Sequence, residues 1–203
     1  MFANRVAALF SRPAWSGLML ASTMAMTACS TTENTTVPSS TESPVTASHG
    51  KGIQSIARLE ATKGSQVSGT VQFFPQTDGS IRIQGRVQGL APNSEHGFHV
   101  HEKGDCSSGD GLSAGGHFNP SQQAHGKFGD SKAHHLGDLP SLEADNQGVA
   151  IIDFVSKELK LDRGSHGVLG RALIVHKDPD DYTTQPTGNS GARLACAVIE
   201  RGA

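Results

Sequence analysis

The chain is 203 residues long, with 17 Lys and Arg against 19 Asp and Glu, a formal net charge of −2 and 5% aromatic residues. A mildly acidic chain without a basic run is a poor nucleic-acid binder, and that class is set aside. No repeat and no second linker divides the stretch after residue 52, so it is one domain, long enough to bury roughly 70% of its unfolded surface.

Residues 1–28 carry Arg5 and Arg12 and no acidic side chain, and an apolar stretch from Trp15 to Ala28 leads into Met26-Thr27-Ala28-Cys29. A basic start, a short apolar run and small residues before a cut describe a secretory signal. The run falls short of the about 20 apolar residues that an ordinary transmembrane helix needs. Small residues directly before a cysteine resemble the lipobox of bacterial lipoproteins, although Met26 stands where leucine is usual. The implied product begins at Cys29 with lipid on its sulfur, is exported, and is tethered in the periplasm. Ser30 after that cysteine points to the outer membrane by analogy with such lipoproteins. An ordinary signal peptide with Cys29 incidental is the alternative. Losing Arg5 and Arg12 with the leader takes the net charge from −2 to −4. Residues 29–52 are rich in Ser, Thr and Pro and bury too little to offset their ordering entropy; they are a flexible tether, and His49 within it has no role.

From 53 to 203 strand signals dominate. Val67 to Pro75 is rich in β-branched and aromatic residues, and Ile81, Ile83 and Val87 alternate with Arg82, Gln84, Arg86 and Gln88. Asp78-Gly79 between them is a hairpin turn. Phe98, Val100, Ile151, Phe154, Leu173, Val175, Leu194 and Val198 mark further short strands, and Glu158-Leu159-Lys160-Leu161 also alternates like a strand. Two stretches, 104–140 and 178–192, lack any period and are long enough to be functional. The predicted class is all-β: a Greek-key antiparallel β-sandwich or flattened barrel with two long functional loops. If Cys29 is lipidated, Cys106 and Cys196 remain; export favours a disulfide between them, with two buried thiols as the alternative. Such a bond would close a loop of roughly 90 residues, worth about 4–5 kcal/mol in the chain-entropy model.

The chemistry lies in six histidines and one aspartate: His99, His101, His117, His125, His135, Asp138 and His176. His99 and His101, two apart on a strand, point to one face with Cβ atoms about 6–7 Å apart, close enough to converge on one ion. Seven donors serve two metals only if one histidine is shared. Imidazole suits copper and zinc, whereas a carboxylate suits zinc better than copper(I), so the cluster with Asp138 is the zinc site and the all-nitrogen cluster the copper site.

The segments Gly97-Phe98-His99-Val100-His101-Glu102, Gly116-His117-Phe118-Asn119-Pro120, His135-Leu136-Gly137-Asp138-Leu139 and Gly188-Asn189-Ser190-Gly191-Ala192-Arg193-Leu194-Ala195-Cys196 resemble the copper/zinc superoxide dismutase family in its bacterial exported form, in order, over essentially all of 53–203. The resemblance implies that His99, His101, His117 and His176 bind copper and that His117, His125, His135 and Asp138 bind zinc. His117 is then the shared, catalytic ligand, and the reaction is dismutation of superoxide to dioxygen and hydrogen peroxide. Arg193 matches the arginine that holds superoxide beside copper, and Cys106 and Cys196 match the family disulfide. Asp180 matches an aspartate that links a copper histidine to a zinc histidine, accepting a ring N–H of His99 and of His125. The bland readings are a turn residue for Asp180 and a surface ion pair for Arg193.

Two departures stand out. The segment between His176 and Arg193 is shorter than in animal members, and Pro186 stands where a lysine is frequent. Lys127 and Lys132 are candidates to steer the anion in its place, or are ordinary solvated lysines. His134, beside His135, could compete for zinc; the His-x-x-Asp spacing selects His135. His96 and His166 receive no assigned role and read as structural histidines. The alternatives to the enzyme are a non-catalytic copper/zinc-binding lipoprotein of the same fold and a surface adhesion module. Monomer and homodimer are both open.

Overall fold

Period-two alternation builds the body of the protein, whose residues 55–202 are described by a computed structural model; the leader, Cys29 and the tether lie outside these residues. In β3 (Ile81–Gln88) the side chains of Ile81, Ile83 and Val87 are buried while Arg82, Arg86 and Gln88 face solvent. β2 (Ser68–Pro75) buries Val71 and Phe73, and β1 (Ser55–Ala61) buries Ala57 and Leu59. The Asp78-Gly79 turn joins β2 to β3: Gly79 has φ 82°, and Asp78 Oδ1 accepts the Ser80 N–H and O–H at 3.0 and 2.6 Å. A positive φ suits glycine because it has no Cβ to clash.

The remaining strands are β4 (Glu95–His96), β5 (Phe98–His101), β6 (Leu142–Glu143), β7 (Val149–Ser156), β8 (Ala172–His176), β9 (Arg193–Val198) and β10 (Glu200–Arg201). One antiparallel ladder runs β5-β8-β9-β1-β2-β3-β7, with β10 added to β1 and β4 pairing only β6. The chain leaves β3, crosses to the far edge as β5, returns beside β3 as β7 and crosses again to β8, which is a Greek-key path. The ladder curls so that Val71, Phe73 and Ile83 from one half and Phe98, Leu173 and Val175 from the other share one core. Each such large apolar side chain, fully buried, contributes about 1.5–3 kcal/mol.

One expected strand is absent. Residues 158–161 form no strand, and Lys160 makes only an isolated bridge to Gly167. Ser156 Oγ accepts the N–H groups of Glu158 and Leu159, and Asp162 then turns the chain by accepting the Gly164 N–H at 2.7 Å. Local side-chain acceptors compete with ladder bonds here, while Leu159 still reaches the core.

The two long stretches without period are loops, 102–141 between β5 and β6 and 177–192 between β8 and β9, with a single 3-10 turn at Leu112–Ala114. The first is pinned by the Cys106–Cys196 disulfide, with Cα atoms 5.9 Å apart, and by Arg171, whose guanidinium lies 3.5 Å from the Phe118 ring centre and donates to the Glu102 carbonyl. Reducing the disulfide in metal-free protein should lower the unfolding free energy by about 4 kcal/mol, as read by urea denaturation with and without reductant. A loss under about 1 kcal/mol would mean that the loop is held without it.

Candidate metal centre

β5 separates its side chains by pleat: Phe98 and Val100 enter the core, while His99 and His101 face the loops, with ring centres 6.4 Å apart. The first loop runs back along this edge strand. His101 bridges to His117 and His99 to Asp138, held by main-chain bonds Phe118 N–H to Val100 O, Gly137 N–H to Phe118 O and Val100 N–H to Gly137 O. His176 ends β8 at a register shift opposite Arg193. The fold thus brings together all seven predicted ligands, each buried.

Their donor atoms form two groups, His99, His101, His117 and His176, and His117, His125, His135 and Asp138, in each of which the atoms lie within 4.8 Å of one another. His117 alone belongs to both. In the first group His101 Nδ1 donates to the Gly115 carbonyl at 2.9 Å and His176 Nδ1 to the Gly191 carbonyl at 3.3 Å, which leaves their two Nε2 lone pairs facing each other at 3.3 Å. His99 Nε2 donates to Asp180 Oδ2 at 2.7 Å, so its Nδ1 is the free donor. In the second group His125 Nε2 donates to Asp180 Oδ1 at 2.8 Å, and its Nδ1 lies 3.1 Å from Asp138 Oδ2. His117 Nδ1 lies 2.9 Å from Asp138 Oδ1 and 3.5 Å from His135 Nδ1.

Metal ions fit these groups. His99 Nδ1, His117 Nε2 and His125 Nδ1 are buried with no hydrogen-bond partner. A buried polar atom without a partner costs about 1–3 kcal/mol, and three converging on two points mark sites for ions. The donor chemistry agrees: four imidazole nitrogens suit copper, and three imidazoles with a carboxylate suit zinc.

Burial keeps His101, His117 and His176 unprotonated, as metal ligands must be, whereas His125 carries a proton in the metal-free protein and must release it for zinc to bind. Burial and neighbouring imidazoles hold His101 and His176 well below the usual histidine range, and burial brings His117 down to about 4. Burial also disfavours charge on His125, but the Asp138 and Asp180 carboxylates beside it outweigh that and raise His125 to about 9. Burial pushes Asp138 upward, yet the imidazoles of His117, His125 and His135 packed against it win and hold it far below the carboxylate range. A carboxylate surrounded by three imidazoles stands ready for a cation.

Arg193 lies beside the first group. Its Nη1 donates to the Gly111 carbonyl and its Nη2 to the Gly115 carbonyl, the same oxygen that receives His101 Nδ1. A funnel of about 140 Å³ is lined by His101, His176, Thr187, Leu112 and Arg193 among others. Burial lowers the Arg193 pKa, yet a guanidinium stays charged at neutral pH. Neither lysine candidate lines this funnel: the Lys127 ammonium sits 5.4 Å from the Tyr182 ring centre, and Lys132 lines a separate hollow with His134, Glu158 and His166.

His134 lies outside both groups; its Nδ1 donates to the His135 carbonyl, its ring stacks with Phe128, and its Nε2 is 4.0 Å from Glu158. His96, given no role from sequence, is buried with Nδ1 2.8 Å from the His176 carbonyl and Nε2 2.7 Å from Ser94 Oγ, so it braces the main chain of a copper ligand. No local signal marks that contact, since its partner is 80 residues away.

Replacing His117 by Ala should lower both copper and zinc content, whereas His176→Ala should remove copper and largely spare zinc, as read by metal analysis of the purified variants. His135→Ala should cost more zinc than His134→Ala. Full zinc and copper in the His117 variant, or equal zinc losses at 134 and 135, would contradict these assignments.

Residues 67–199 match the family model described as copper/zinc superoxide dismutase (SODC). The chain is 43% identical over 155 residues to "Superoxide dismutase [Cu-Zn]" of Paramecium bursaria Chlorella virus 1, covering 73% of this chain and 79% of that one. It is 35% identical over 159 residues to "Superoxide dismutase [Cu-Zn] 2" of Aquifex aeolicus (strain VF5), covering 76% and 91%. Among solved structures, the crystal structure of the clock protein EA4 matches with a TM-score of 0.66 at 41% identity, over 75% of this chain and 98% of that one. With both ligand groups intact and joined through His117, the chain belongs to the copper/zinc superoxide dismutase family.

Proposed function

We propose that the protein is a lipid-tethered superoxide dismutase working outside the cytoplasm, with Arg193 as its anion-binding residue. The observation that carries the catalytic reading is the pair of buried ligand groups sharing His117, with an arginine at the mouth of the copper side. When bound, copper supplies a one-electron couple by which two superoxide ions and two protons become dioxygen and hydrogen peroxide, and zinc, which has no redox change, holds the shared ring.

The chain's own residues do the rest. Arg193, with Nη1 and Nη2 anchored on two carbonyls, presents a fixed positive charge where the anion arrives. His117 faces the copper group through Nε2, which has no hydrogen-bond partner, and commits Nδ1 to the zinc group. Nε2 is where a proton can be held beside the reacting oxygen. Asp180 accepts one ring N–H from His99 and one from His125, and so presents Nδ1 of each to its own group. The non-catalytic alternative has no observation in its favour, since neither a copper ligand nor the arginine is missing.

Support for export is the basic, apolar and small-residue leader ending at Cys29. The Cys106–Cys196 disulfide suits an oxidising compartment. Cys29→Ser should release the protein from membranes with specific activity unchanged; continued membrane association would mean another anchor.

Arg193→Ala should lower kcat/KM for superoxide by about 10- to 100-fold with copper and zinc content unchanged, and Arg193→Lys should recover part of it. Because Lys127 and Lys132 are absent from the funnel, neutralising both should change kcat/KM by less than about twofold at physiological salt, where screening acts within about 8 Å. A full rate for Arg193→Ala, or a large loss for the lysine pair at physiological salt, would reassign the capture of superoxide.

A further inference from the structure

His125 is the zinc ligand with the least support from the sheet. His117 and Asp138 are bridged to β5, and the His135 N–H is bonded to Asp138 Oδ2 at 2.9 Å. Among the described residues, the main chain of 119–134 bonds to the rest of the protein at only two places. One is the Gly126 N–H, which donates to Asp138 Oδ2 at 3.1 Å. The other is His125 itself, whose two main-chain groups both pair with the side-chain amide of Gln185. The His125 N–H donates to Gln185 Oε1 at 2.8 Å, and Gln185 Nε2 donates to the His125 carbonyl at 2.9 Å. An amide that meets both groups of one residue reproduces a strand pairing with a side chain, across 60 positions of sequence.

Gln185 is otherwise exposed and adds nothing to the core. Its loop also carries Asp180, which fixes the ring of the same histidine. Gly188 lets that loop pass close by; a Cβ there would collide with the Asp180 carboxylate and the His125 ring. The ring nitrogen so aimed, Nδ1, is one of the buried donors without a hydrogen-bond partner.

We infer that Gln185 is a positioning residue for zinc: it sets the main chain of His125, as Asp180 sets its ring, so that Nδ1 points into the zinc group. The inference rests on the zinc assignment of His117, His125, His135 and Asp138. Loss of such an outer contact typically weakens metal binding by about 10–100-fold.

The test uses the full chain with zinc itself as the probe, titrated against a chromogenic zinc chelator, for the unaltered protein, Gln185→Ala and Gln185→Glu. Gln185→Ala should raise the zinc dissociation constant by about tenfold, near the lower end of that range. Gln185→Glu, which keeps an acceptor for the His125 N–H but loses the donor to its carbonyl, should fall between. Cobalt(II) placed in the zinc group should show altered visible bands in Gln185→Ala. The rise in Tm on adding zinc should shrink in both variants, while the Tm without metal stays close to that of the unaltered protein. A zinc affinity in Gln185→Ala equal to that of the unaltered protein would overturn the inference. So would an equal fall in Tm with and without zinc, which marks a purely structural residue. Failure of the unaltered protein to bind zinc would instead overturn the assignment of the site.

Discussion

Seven side chains must furnish eight coordination places, and the His117 ring resolves the mismatch by serving two groups at once. Much of the surrounding structure follows from what that ring requires. It must be buried on both faces, so the first loop has to run along the edge of β5 instead of standing off in solvent. It must not be a cation, and burial sees to this by bringing its pKa to about 4; the proton left on the neutral ring must also go for both nitrogens to serve as ligands. It must also be held in one orientation, and Asp138 on one side with the tilted His99 ring, 3.9 Å away between centres, on the other leaves little freedom.

The two loops are placed by different forces. The first is stitched by main-chain bonds to β5, by the disulfide and by the Arg171–Phe118 contact. The second is tied by main chain only at its base, where the Gly97 N–H donates to the Asp178 carbonyl and Lys177 and Asp178 pair with Ala192 and Ser190. Its grip on the site comes from Asp180, which touches a histidine of each group, from Gln185 on the His125 main chain and from the Gly191 carbonyl on His176. The Gly115 carbonyl plays a smaller part of the same kind: it receives both His101 and Arg193, so the copper ligand and the charged group at the funnel share one anchor. Geometry at one metal is thereby tied to geometry at the other and at the entrance.

The pattern of strands was legible because alternation needs only neighbours in sequence: β2, the Asp78-Gly79 turn and β3 lie where their residues place them. The ligand groups were legible because His99 and His101 share a strand face and because glycine-rich segments carrying histidine resemble a known family. What local reading could not reach depends on distant partners. Residues 158–161 alternate like a strand, but Ser156 and Asp162 capture the N–H groups around them. His96 reads from sequence as a structural histidine without a ligand role, and the structure supplies its partner, a carbonyl 80 residues on. Lys127 and Lys132 carry the right charge for steering, yet only the fold shows that they point elsewhere than the funnel.

The shared ring can be tested magnetically. With copper(II) in the four-histidine group and paramagnetic cobalt(II) in the group containing Asp138, exchange through one common imidazole should strongly suppress the copper electron paramagnetic resonance signal relative to the copper/zinc protein. A copper signal of undiminished intensity in protein shown to hold both ions would contradict a bridge at His117.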